Sequence, residues 1–521
     1  MLKKLLVSLL SALLCISVVA ETEIQSDVNQ NVNNITIDEN GNVFVSPLKY
    51  HISDEGTAEV IFDRSYKDLE SVVIPSEIRI AGHVYPVTSI EKYAFLGCKS
   101  LTNVKISSGL KSIEEHAFSG CSGLTSINIP SSVTSLGDGA FSFCKGLTSI
   151  NIPSSVTNIG KLAFLECECL TSIKIPSSVT NIGSSAFLHC KGLTSINVSR
   201  DNKFYSSDKG ILYDKNKTTL ICIPEGKNGS IVIPSSVTHI NSFAFNNCRE
   251  LTSINVSRDN SNYSSEDGIL YDKNKTTLVS IPEGKKGRVV LLSGVACIGE
   301  YACRGCGNLT SIEIPSSVTS IEFGAFSGCR GLTSIDIPSS VTSIGRSVFM
   351  NCSGLTTIKI PSGVTSIGNH AFASCRGLTS IEIPSSVISI GKRALSGCRG
   401  LTSIEIPSSV TSIGNSAFRD CSGLTNVNIP SSVTSIGDYA FRDCSGLTNV
   451  NISSSVTSIG KFAFWGCRGL TSIKIPSSVT NIGGGAFYRC ENLEIVIDNS
   501  KENISVGENA FYGCKSVKFL K

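Results

Sequence analysis

The chain has 521 residues, of which 41% are hydrophobic and only 17% are charged, and its formal net charge is +3. This composition excludes an intrinsically disordered chain, because disorder requires low hydrophobicity and high net charge. The nearly balanced charge gives no reason to expect nucleic acid or a strongly anionic membrane as the partner.

The first 20 residues have the three parts of a secretory signal peptide. Lys3 and Lys4 give a charged start, an apolar run extends from Leu5 to Val19, and the small residue Ala20 closes the segment. We therefore predict a signal peptide over residues 1–20, cleavage after Ala20, and a mature protein that is secreted or held at the cell surface.

Two alternatives exist for this segment. A membrane anchor is disfavoured because the apolar run falls short of the roughly 20 residues that span a bilayer. A lipid on Cys15 is disfavoured because Leu14 precedes it where lipoprotein signals have a small residue. No later segment is a spanning candidate, so the mature chain is expected to lack a transmembrane segment. We predict a flexible leader over residues 21–45 and an N-terminal cap over residues 46–86.

A sequence motif of 23 residues is repeated along most of the remaining chain. One clean copy begins at Cys398 and reads Cys-Arg-Gly-Leu-Thr-Ser-Ile-Glu-Ile-Pro-Ser-Ser-Val-Thr-Ser-Ile-Gly-Asn-Ser-Ala-Phe-Arg-Asp, and Cys421 begins the next. The apolar residues of one copy are too few and too spread out to form a core alone. They form one only when the next copy stacks on top, and a period of this length therefore predicts a solenoid, one elongated body rather than several globular domains.

Each copy predicts one short parallel strand and one short turn. Ile404 to Ile406 alternates with the period of a strand, and Pro407 ends it because proline cannot donate to a central ladder. Val410 to Ile413 is a second extended piece, closed by Gly414. Residues 415–421 place an Ala, a Phe and a Cys on one side, which predicts a single turn of α or 3₁₀ helix.

The pattern Phe-x-x-Cys-x-x-Leu-x-x-Ile-x-Ile-Pro-x-x-Val-x-x-Ile-Gly-x-x-Ala-Phe resembles the leucine-rich repeat, in the variant typical of BspA-like cell-surface proteins. The resemblance covers about four fifths of the chain. It implies an α/β solenoid, a right-handed superhelix with strands on the concave face and the Ala-Phe turn on the convex back. It also implies attachment to host extracellular-matrix proteins, to cells or to other microbes.

The repeats fall into blocks. Regular leucine-rich repeats are predicted over residues 87–195 and 312–490. The last copy departs from the repeat motif, which predicts a C-terminal cap over residues 491–521. Between the regular blocks, residues 196–311 contain two long repeats of 58 residues that copy one another. Each has two β-prone runs around Asp-Lys-Asn-Lys, which predicts a hairpin insert. Such inserts recur in BspA-like proteins.

Most of the 21 cysteines occupy one column of the repeat. Stacked neighbours about 4.8 Å apart would lie short of the usual Cα separation for a disulfide, with their side chains parallel. We therefore predict buried free thiols that pack as small apolar groups. Cys303 and Cys306 form a C-x-x-C, for which a local disulfide is favoured over a redox or zinc site.

No residues suggest catalysis. The six histidines are scattered, and no Ser, Cys or Asp stands in a recognised nucleophile context. We predict a protein that is not an enzyme and that has no cofactor and no metal site.

Two surfaces are predicted to bind a partner. The first, the strand face, is the outward position between the two strand isoleucines, flanked by Thr and Ser. Its candidate residues are Asn128, Asn151, Lys174, Glu313, Asp336, Lys359, Glu382, Glu405, Asn428, Asn451 and Lys474. The second, the basic edge, is the position after the repeat cysteine, which either keeps the solenoid soluble or binds acidic glycans or acidic protein patches. Its candidate residues are Lys145, Lys191, Arg249, Arg330, Arg376, Arg399 and Arg468.

A long surface without a pocket suits the binding of macromolecules. The first hypothesis is therefore an adhesion or recognition protein that binds a host matrix or cell-surface protein or glycan. The alternatives are a self-assembling rod of a surface layer and, more weakly, carbohydrate binding through the Thr/Ser-rich strand face.

Overall fold

The structure is a computed structural model that describes residues 35–520. The predicted signal peptide and the first part of the predicted leader lie outside the described residues. The chain divides into two compact units. The N-terminal unit comprises residues 35–227 and His239–Ala244, and the C-terminal unit comprises Asn228–Thr238 and residues 245–520.

Both units contain a column of parallel strands that we call the first column. Its central residues alternate between exposed and buried side chains, as in Ser126–Asn128, because successive side chains of a strand point to opposite faces. In the N-terminal unit its strands are Ser71–Ile74, Asn103–Ile106, Ser126–Asn128, Ser149–Asn151, Ser172–Ile175 and Ser195–Val198. In the C-terminal unit they are Gly229–Ile233, Leu251–Val256, Gly287–Val290, Leu309–Glu313, Thr357–Lys359, Ser380–Glu382, Ser403–Ile404, Asn426–Asn428, Asn449–Asn451, Ser472–Ile475, Glu494–Ile497 and Ser516–Phe519.

A second column of parallel strands corrects the prediction of one strand per coil. It forms at the extended piece that precedes the Ile-Gly pair, where two residues pair with the coils on either side. In the N-terminal unit its strands are Ala58–Val60, His83–Ile90, Ser112–Ile113, Ser135–Leu136, Asn158–Ile159, Asn181–Ile182, Thr219–Cys222 and His239–Ile240. In the C-terminal unit they are Thr277–Ser280, Cys297–Ile298, Ser320–Ile321, Ser366–Ile367, Ser389–Ile390, Ser412–Ile413, Ser435–Ile436, Ser458–Ile459, Asn481–Ile482 and Ser505–Val506.

The predicted α or 3₁₀ turn at the Ala-Phe segment is wrong. Every second N–H group of this segment bonds to a carbonyl of the next coil; around Phe118 these donors are His116, Phe118 and Gly120. The N–H groups between them close turns on carbonyls three residues earlier, as Ala117 does on Glu114 at 3.2 Å. A helix would direct all of these donors along the segment and remove the hydrogen bonds that join neighbouring coils at this segment. In the described chain the only helices are the 3₁₀ turns Arg64–Asp68 and Lys501–Asn503, so the fold is a parallel β-solenoid rather than an α/β solenoid.

Two positions in nearly all of these segments adopt the left-handed backbone region. His116 has a φ of 54° and Gly120 a φ of 78°. A positive φ at the third residue of a four-residue turn is what a type II turn requires. A left-handed residue before Ala and another before Cys therefore make the segment two successive four-residue turns and prevent a continuous helix.

The core consists of the same side chains stacked coil upon coil, as predicted. Phe118 is fully buried, and its ring centroid lies 5.1 Å from that of Phe95 and 5.5 Å from that of Phe141. The C-terminal unit has a similar ladder, with Phe441 stacked 5.2 Å from Phe418. Such ring pairs contribute about 0.5–1.5 kcal/mol each beyond the burial of their area.

The cysteine column is buried beside the phenylalanine ladder, as predicted. The Cys398 Sγ donates to the Phe372 carbonyl of the preceding coil at 3.2 Å, and the other column thiols make equivalent bonds in most coils. No cysteine pair within residues 35–520 forms a disulfide. The local disulfide predicted for Cys303 and Cys306 is therefore wrong: both side chains are fully buried in the core as free thiols, and the Cys306 Sγ donates to the Ile281 carbonyl at 3.5 Å.

An antiparallel meander begins the N-terminal unit. Its strands are Ile35–Ile37, Val43–Val45, Leu48–Ile52 and Ala58–Val60, so the end of the segment predicted as flexible leader is folded. A further strand, Glu77–Ile80, pairs antiparallel with His83–Ile90. Tyr66, on the 3₁₀ turn, is fully buried and stacks on Phe95 at 5.1 Å, so it forms the first ring of the ladder.

Each long repeat contains the predicted hairpin with one additional strand. The antiparallel strands are Tyr205–Asp208, Ile211–Asp214 and Thr219–Cys222 in the first copy, and Tyr263–Glu266, Ile269–Asp272 and Thr277–Ser280 in the second. Asn202 is completely buried before the first insert. Its side-chain NH₂ donates to the Pro176 and Val179 carbonyls, which fixes the insert to the preceding coil.

The glycine after the second-column isoleucine has no room for a side chain. A Cβ atom on Gly414 would lie 2.7 Å from the Gly391 carbonyl carbon. We expect Gly414→Ala to lower the free energy of unfolding by roughly 1–3 kcal/mol, because the backbone of the preceding coil must move. The matched control is Gly363→Ala, where the nearest atom is 3.5 Å from the added Cβ. Urea unfolding that is the same for both variants would contradict this prediction.

Stability should fall in alkaline solution. Burial raises the pKa of the Cys144, Cys421 and Cys490 thiols to about 12, from an ordinary value of 9.0. Between pH 9 and about pH 12 these thiols have lost their protons in the unfolded chain but keep them in the folded chain. The free energy of unfolding therefore falls as pH rises, by about 1.4 kcal/mol per pH unit for each such thiol. Urea midpoints under reducing conditions at pH 7, 9, 10 and 11 measure the effect. A constant midpoint would contradict it, and Cys169→Ser, which changes an exposed thiol, should leave the profile unaltered.

Candidate binding surface

All predicted strand-face residues have exposed side chains. The exposure follows from the strand period: in Ser380–Glu382 the central Ile381 is buried and the flanking side chains point outward. The first column therefore presents one outward side chain per coil at this position in each unit. Whether these residues bind a partner remains a prediction.

Cross-strand register determines which strand-face residues are neighbours. Asn128 pairs with Asn151 in the N-terminal unit. In the C-terminal unit Asn428 pairs with Asn451, and the Asn451 Nδ2 donates to the Asn428 Oδ1 at 3.0 Å. These asparagines thus form short amide ladders along the strand face.

The acidic part of the strand face is more neutral than its sequence suggests. Lys359 lies between Asp336 and Glu382 in the register of the first column. Glu313 forms an ion pair with Arg288 of the preceding first-column strand. Opposite charges at such cross-strand positions attract each other by only a fraction of a kcal/mol when exposed, but they reduce the net field at this surface.

The threonine hydroxyls beside the strand face are partly used within the protein. The Thr148 Oγ1 donates to the Thr125 carbonyl of the preceding coil at 3.1 Å, and Thr379 donates likewise to Thr356. These hydroxyl groups keep lone pairs, but not their protons, for a ligand. The hydroxyl-rich ribbon predicted from the sequence is therefore mainly an acceptor surface at its threonines.

An open groove lies over the strand face in each unit. The groove of the N-terminal unit has a volume of about 380 Å³ and is lined by Asn128, Asn151 and Lys174 among others. The groove of the C-terminal unit has a volume of about 670 Å³ and is lined by residues that include Asn451, Lys474 and Leu520. Part of the strand face is therefore concave in both units.

The basic edge differs between the two units. In the N-terminal unit Glu168 occupies the same position of the repeat and lies between Lys145 and Lys191, with each carboxylate-to-ammonium distance 3.0 Å. Glu166 also contacts Lys145 at 3.1 Å. The two carboxylates hold the pKa of Lys145 above its usual range. This part of the edge is an ion-pair network rather than a positive surface.

In the C-terminal unit the basic edge keeps its positive charge. The side chains here are exposed arginines, and within the described residues no carboxylate lies at ion-pair distance from Arg330, Arg376, Arg399 or Arg468. Arg376 and Arg399 occupy neighbouring coils. Arg249, at the same position after Cys248, is also exposed.

Sequence reasoning missed a third surface, which we call the aromatic–arginine patch: Tyr439, Arg442, Phe462, Trp465, Tyr488, Arg489 and Tyr512. It lies on the Ala-Phe segments of the last coils of the C-terminal unit. The Arg442 guanidinium lies 3.6 Å from the Trp465 ring centroid, and its Nε donates to the Asp443 carboxylate at 3.0 Å. Trp, Tyr and Arg are the residues most enriched at energetically important contacts in protein interfaces.

A sequence signal for this patch exists. Tyr439 and Phe462 occupy the left-handed position before Ala, and one coil later this position is Gly485. The Phe462 ring covers that glycine so closely that a Cβ atom there would lie 2.3 Å from the ring. An aromatic residue at this position, followed by glycine 23 residues later, therefore indicates a ring that lies flat on the next coil.

The described residues give no evidence of a catalytic centre. Among residues 35–520, no three His, Cys, Asp or Glu side chains converge as a metal-binding group. Within the same residues, neither helix has the length and apolar character needed to cross a membrane.

The comparison with known proteins identifies the family. The sequence profile described as "BspA type Leucine rich repeat region (6 copies)" matches residues 88–209, 226–286, 296–425 and 413–521. These segments cover well over half of the chain, so the protein belongs to the BspA-type leucine-rich repeat family. None of the curated proteins matches the chain.

The solved structure of one relative agrees with this assignment. A leucine-rich cell surface protein from Faecalibacterium prausnitzii is 30% identical, over 70% of this chain and 94% of that protein, with a TM-score of 0.50. A leucine-rich repeat protein from Eubacterium ventriosum is 26% identical, over 81% of this chain and 93% of that protein, with a TM-score of 0.42. The chain is thus a leucine-rich repeat protein of a family with members at the cell surface.

The aromatic–arginine patch can be tested through its fluorescence, because Trp465 is the single tryptophan of the chain. Arg442→Ala removes the guanidinium that covers the indole. We expect the emission maximum to move to longer wavelength and quenching by acrylamide to increase, since water then reaches the ring. Arg399→Ala is the matched control on the same unit. An unchanged spectrum of the Arg442 variant would show that the indole is not covered as described.

Proposed function

We propose that this protein is an exported, non-enzymatic recognition protein that acts at the cell surface and binds macromolecules through its strand face. The observation that carries the proposal is the strand face itself. In both units most coils of the first column turn one exposed polar or charged side chain to solvent, and an open groove lies over part of this surface. Most apolar side chains are buried in the core, and the exceptions at this position include the exposed Val73, Val232 and Val290.

The chemistry of this surface supports binding to large, polar partners. Most coils add an amide, carboxylate or ammonium group at the spacing of parallel strands, about 4.8 Å. Such a row can make many weak contacts with an extended partner, and its specificity then depends on the order of the side chains. Host extracellular-matrix proteins and cell-surface glycans are the partners we propose. Export by the predicted signal peptide belongs to the same proposal.

The alternative is a self-assembling rod of a surface layer. Size-exclusion chromatography with light scattering separates the two, because self-assembly requires a mass that grows with concentration. A monomer at all concentrations, together with saturable binding to a member of a panel of matrix proteins and glycans, supports recognition. Absence of binding across the panel would overturn the proposal.

The basic edge of the C-terminal unit should contribute to binding of acidic partners. The triple change Arg330→Glu, Arg376→Glu and Arg399→Glu is expected to weaken salt-sensitive binding by roughly tenfold or more at low salt, because charges at the rim of an interface control association and its salt dependence. Circular dichroism should not change, since the three side chains are exposed. Surface plasmon resonance at two salt concentrations measures the effect.

A matched control reverses three charges outside the edge: Lys111→Glu, Lys161→Glu and Lys392→Glu, all at exposed lysines. Equal losses in the two triple variants would show that net charge alone matters, and retained binding in the arginine variant would remove the edge from the binding surface.

A further inference from the structure

The strand face carries the same three-coil arrangement in both units: two asparagines followed by a lysine. The three residues occupy the same repeat position in consecutive coils. All three line the open groove of the N-terminal unit, and the second asparagine and the lysine line the groove of the C-terminal unit. They are Asn128, Asn151 and Lys174 in the N-terminal unit, and Asn428, Asn451 and Lys474 in the C-terminal unit.

The amide ladder leaves both hydrogen-bond donors and acceptors available. A side-chain amide has two N–H donors and a carbonyl oxygen that accepts twice. After the bond from the Asn451 Nδ2 to the Asn428 Oδ1, the Asn428 NH₂ group can still donate and the Asn451 oxygen can still accept, and both side chains are exposed. A ligand that donates and accepts at neighbouring atoms satisfies both, and hydroxyl groups on adjacent carbons have this property.

The lysine beside each ladder has no acidic neighbour in its register. Lys174 pairs with Asn197, and Lys474 pairs with Val496. Within residues 35–520 neither ammonium group forms an ion pair. Lys359 shows the contrast, because Asp336 and Glu382 flank it on the same strand face. The two groove lysines are therefore uncompensated positive charges next to neutral amides, a setting that favours one negative group of a ligand.

The groove floor does not suit a peptide. A further first-column strand lies on each side of the strands beneath it, Asn103–Ile106 and Ser172–Ile175 in the N-terminal unit, so an incoming peptide finds no open strand edge for pairing. The side chains of Ile127 and Ile150 are only 4% and 8% exposed, so the floor of the N-terminal groove has no apolar pocket for an anchoring side chain.

We propose that each groove binds an acidic carbohydrate, with sugar hydroxyls on the two asparagines and a ring carboxylate on the lysine. The inference rests on the proposed function, since it names the ligand class of the same strand face. The ligand lies along the column, so consecutive sugar rings meet consecutive coils about 4.8 Å apart. The asparagines recognise the hydroxylated ring, and the lysine selects the charged one.

Isothermal titration calorimetry of the full mature chain with a trimer of galacturonic acid tests the inference. The wild-type chain should bind two trimers, and Lys174→Ala or Lys474→Ala should each leave one site of unchanged affinity. The double variant should bind about tenfold more weakly or not at all, a difference of ~1.4 kcal/mol or more.

The matched controls are Lys161→Ala and Lys461→Ala. Each removes an exposed lysine 13 residues before the groove lysine, in the same coil but outside the strand face. Only the backbone N–H of these residues bonds to a side chain of the preceding coil, so the fold does not need the ammonium groups. Both control variants should keep two sites.

Three results would overturn the inference. These are equal binding of the methyl-esterified trimer, which lacks the charge; equal binding of triglutamate, which would assign the grooves to acidic peptides; and full binding by the double lysine variant. Failure of the wild-type chain to bind the uronate trimer also overturns it, while binding to matrix proteins freed of their glycans would then leave the proposed function standing.

Discussion

The structure depends on one constraint: a coil cannot complete either its core or its backbone hydrogen bonds without the coil beside it. The phenylalanine rings meet only across coils, and every second N–H group of the Ala-Phe segment finds its acceptor on the next coil. The column thiols donate to carbonyls one coil back. Stability is therefore a sum over junctions between neighbours, as expected of solenoids.

The same constraint moves all variable chemistry to the outside. Within a regular coil the buried positions are mostly Leu, Ile, Val, Ala, Phe and Cys, so most of the residues that distinguish one coil from another lie on the strand face, the basic edge and the Ala-Phe segments. The two units have used this freedom differently. The N-terminal unit neutralises its edge with Glu168, whereas the C-terminal unit keeps exposed arginines there and builds the aromatic–arginine patch.

Much of this architecture could be predicted because burial leaves a periodic mark on the sequence. The columns of Leu401, Ile404 and Phe418, the exposure of the strand face and the hairpin inserts all follow from the spacing of apolar and turn-forming residues. The Ala-Phe segment could not be predicted in this way. Ala417, Phe418 and Cys421 have the spacing of one helical turn, and the same spacing also suits a chain of turns that bonds to its neighbours.

The surfaces were less predictable. When only the basic residues at one repeat position are considered, the acidic residues at the same position in neighbouring coils are overlooked. Lys145 and Lys191 alone suggest a basic surface, but Glu168, from the coil between them, forms ion pairs with both. The aromatic–arginine patch was missed for a related reason. Its rings occupy positions that are small or polar in most copies, and only comparison of successive copies shows that Tyr439, Phe462 and Gly485 form a set.

The left-handed positions before Ala and before Cys have an evolutionary consequence. In most coils they are occupied by residues other than glycine, among them His116, Tyr439 and Arg489, so the junctions already tolerate the modest backbone cost of a side chain there. Several of those side chains, including that of Arg489, are exposed, and gene duplication places each new copy beside the last. Drift at these two positions can therefore assemble rows of rings or charges on the surface of the solenoid where the adjoining coil leaves room, which it does not do at Gly485 under the Phe462 ring.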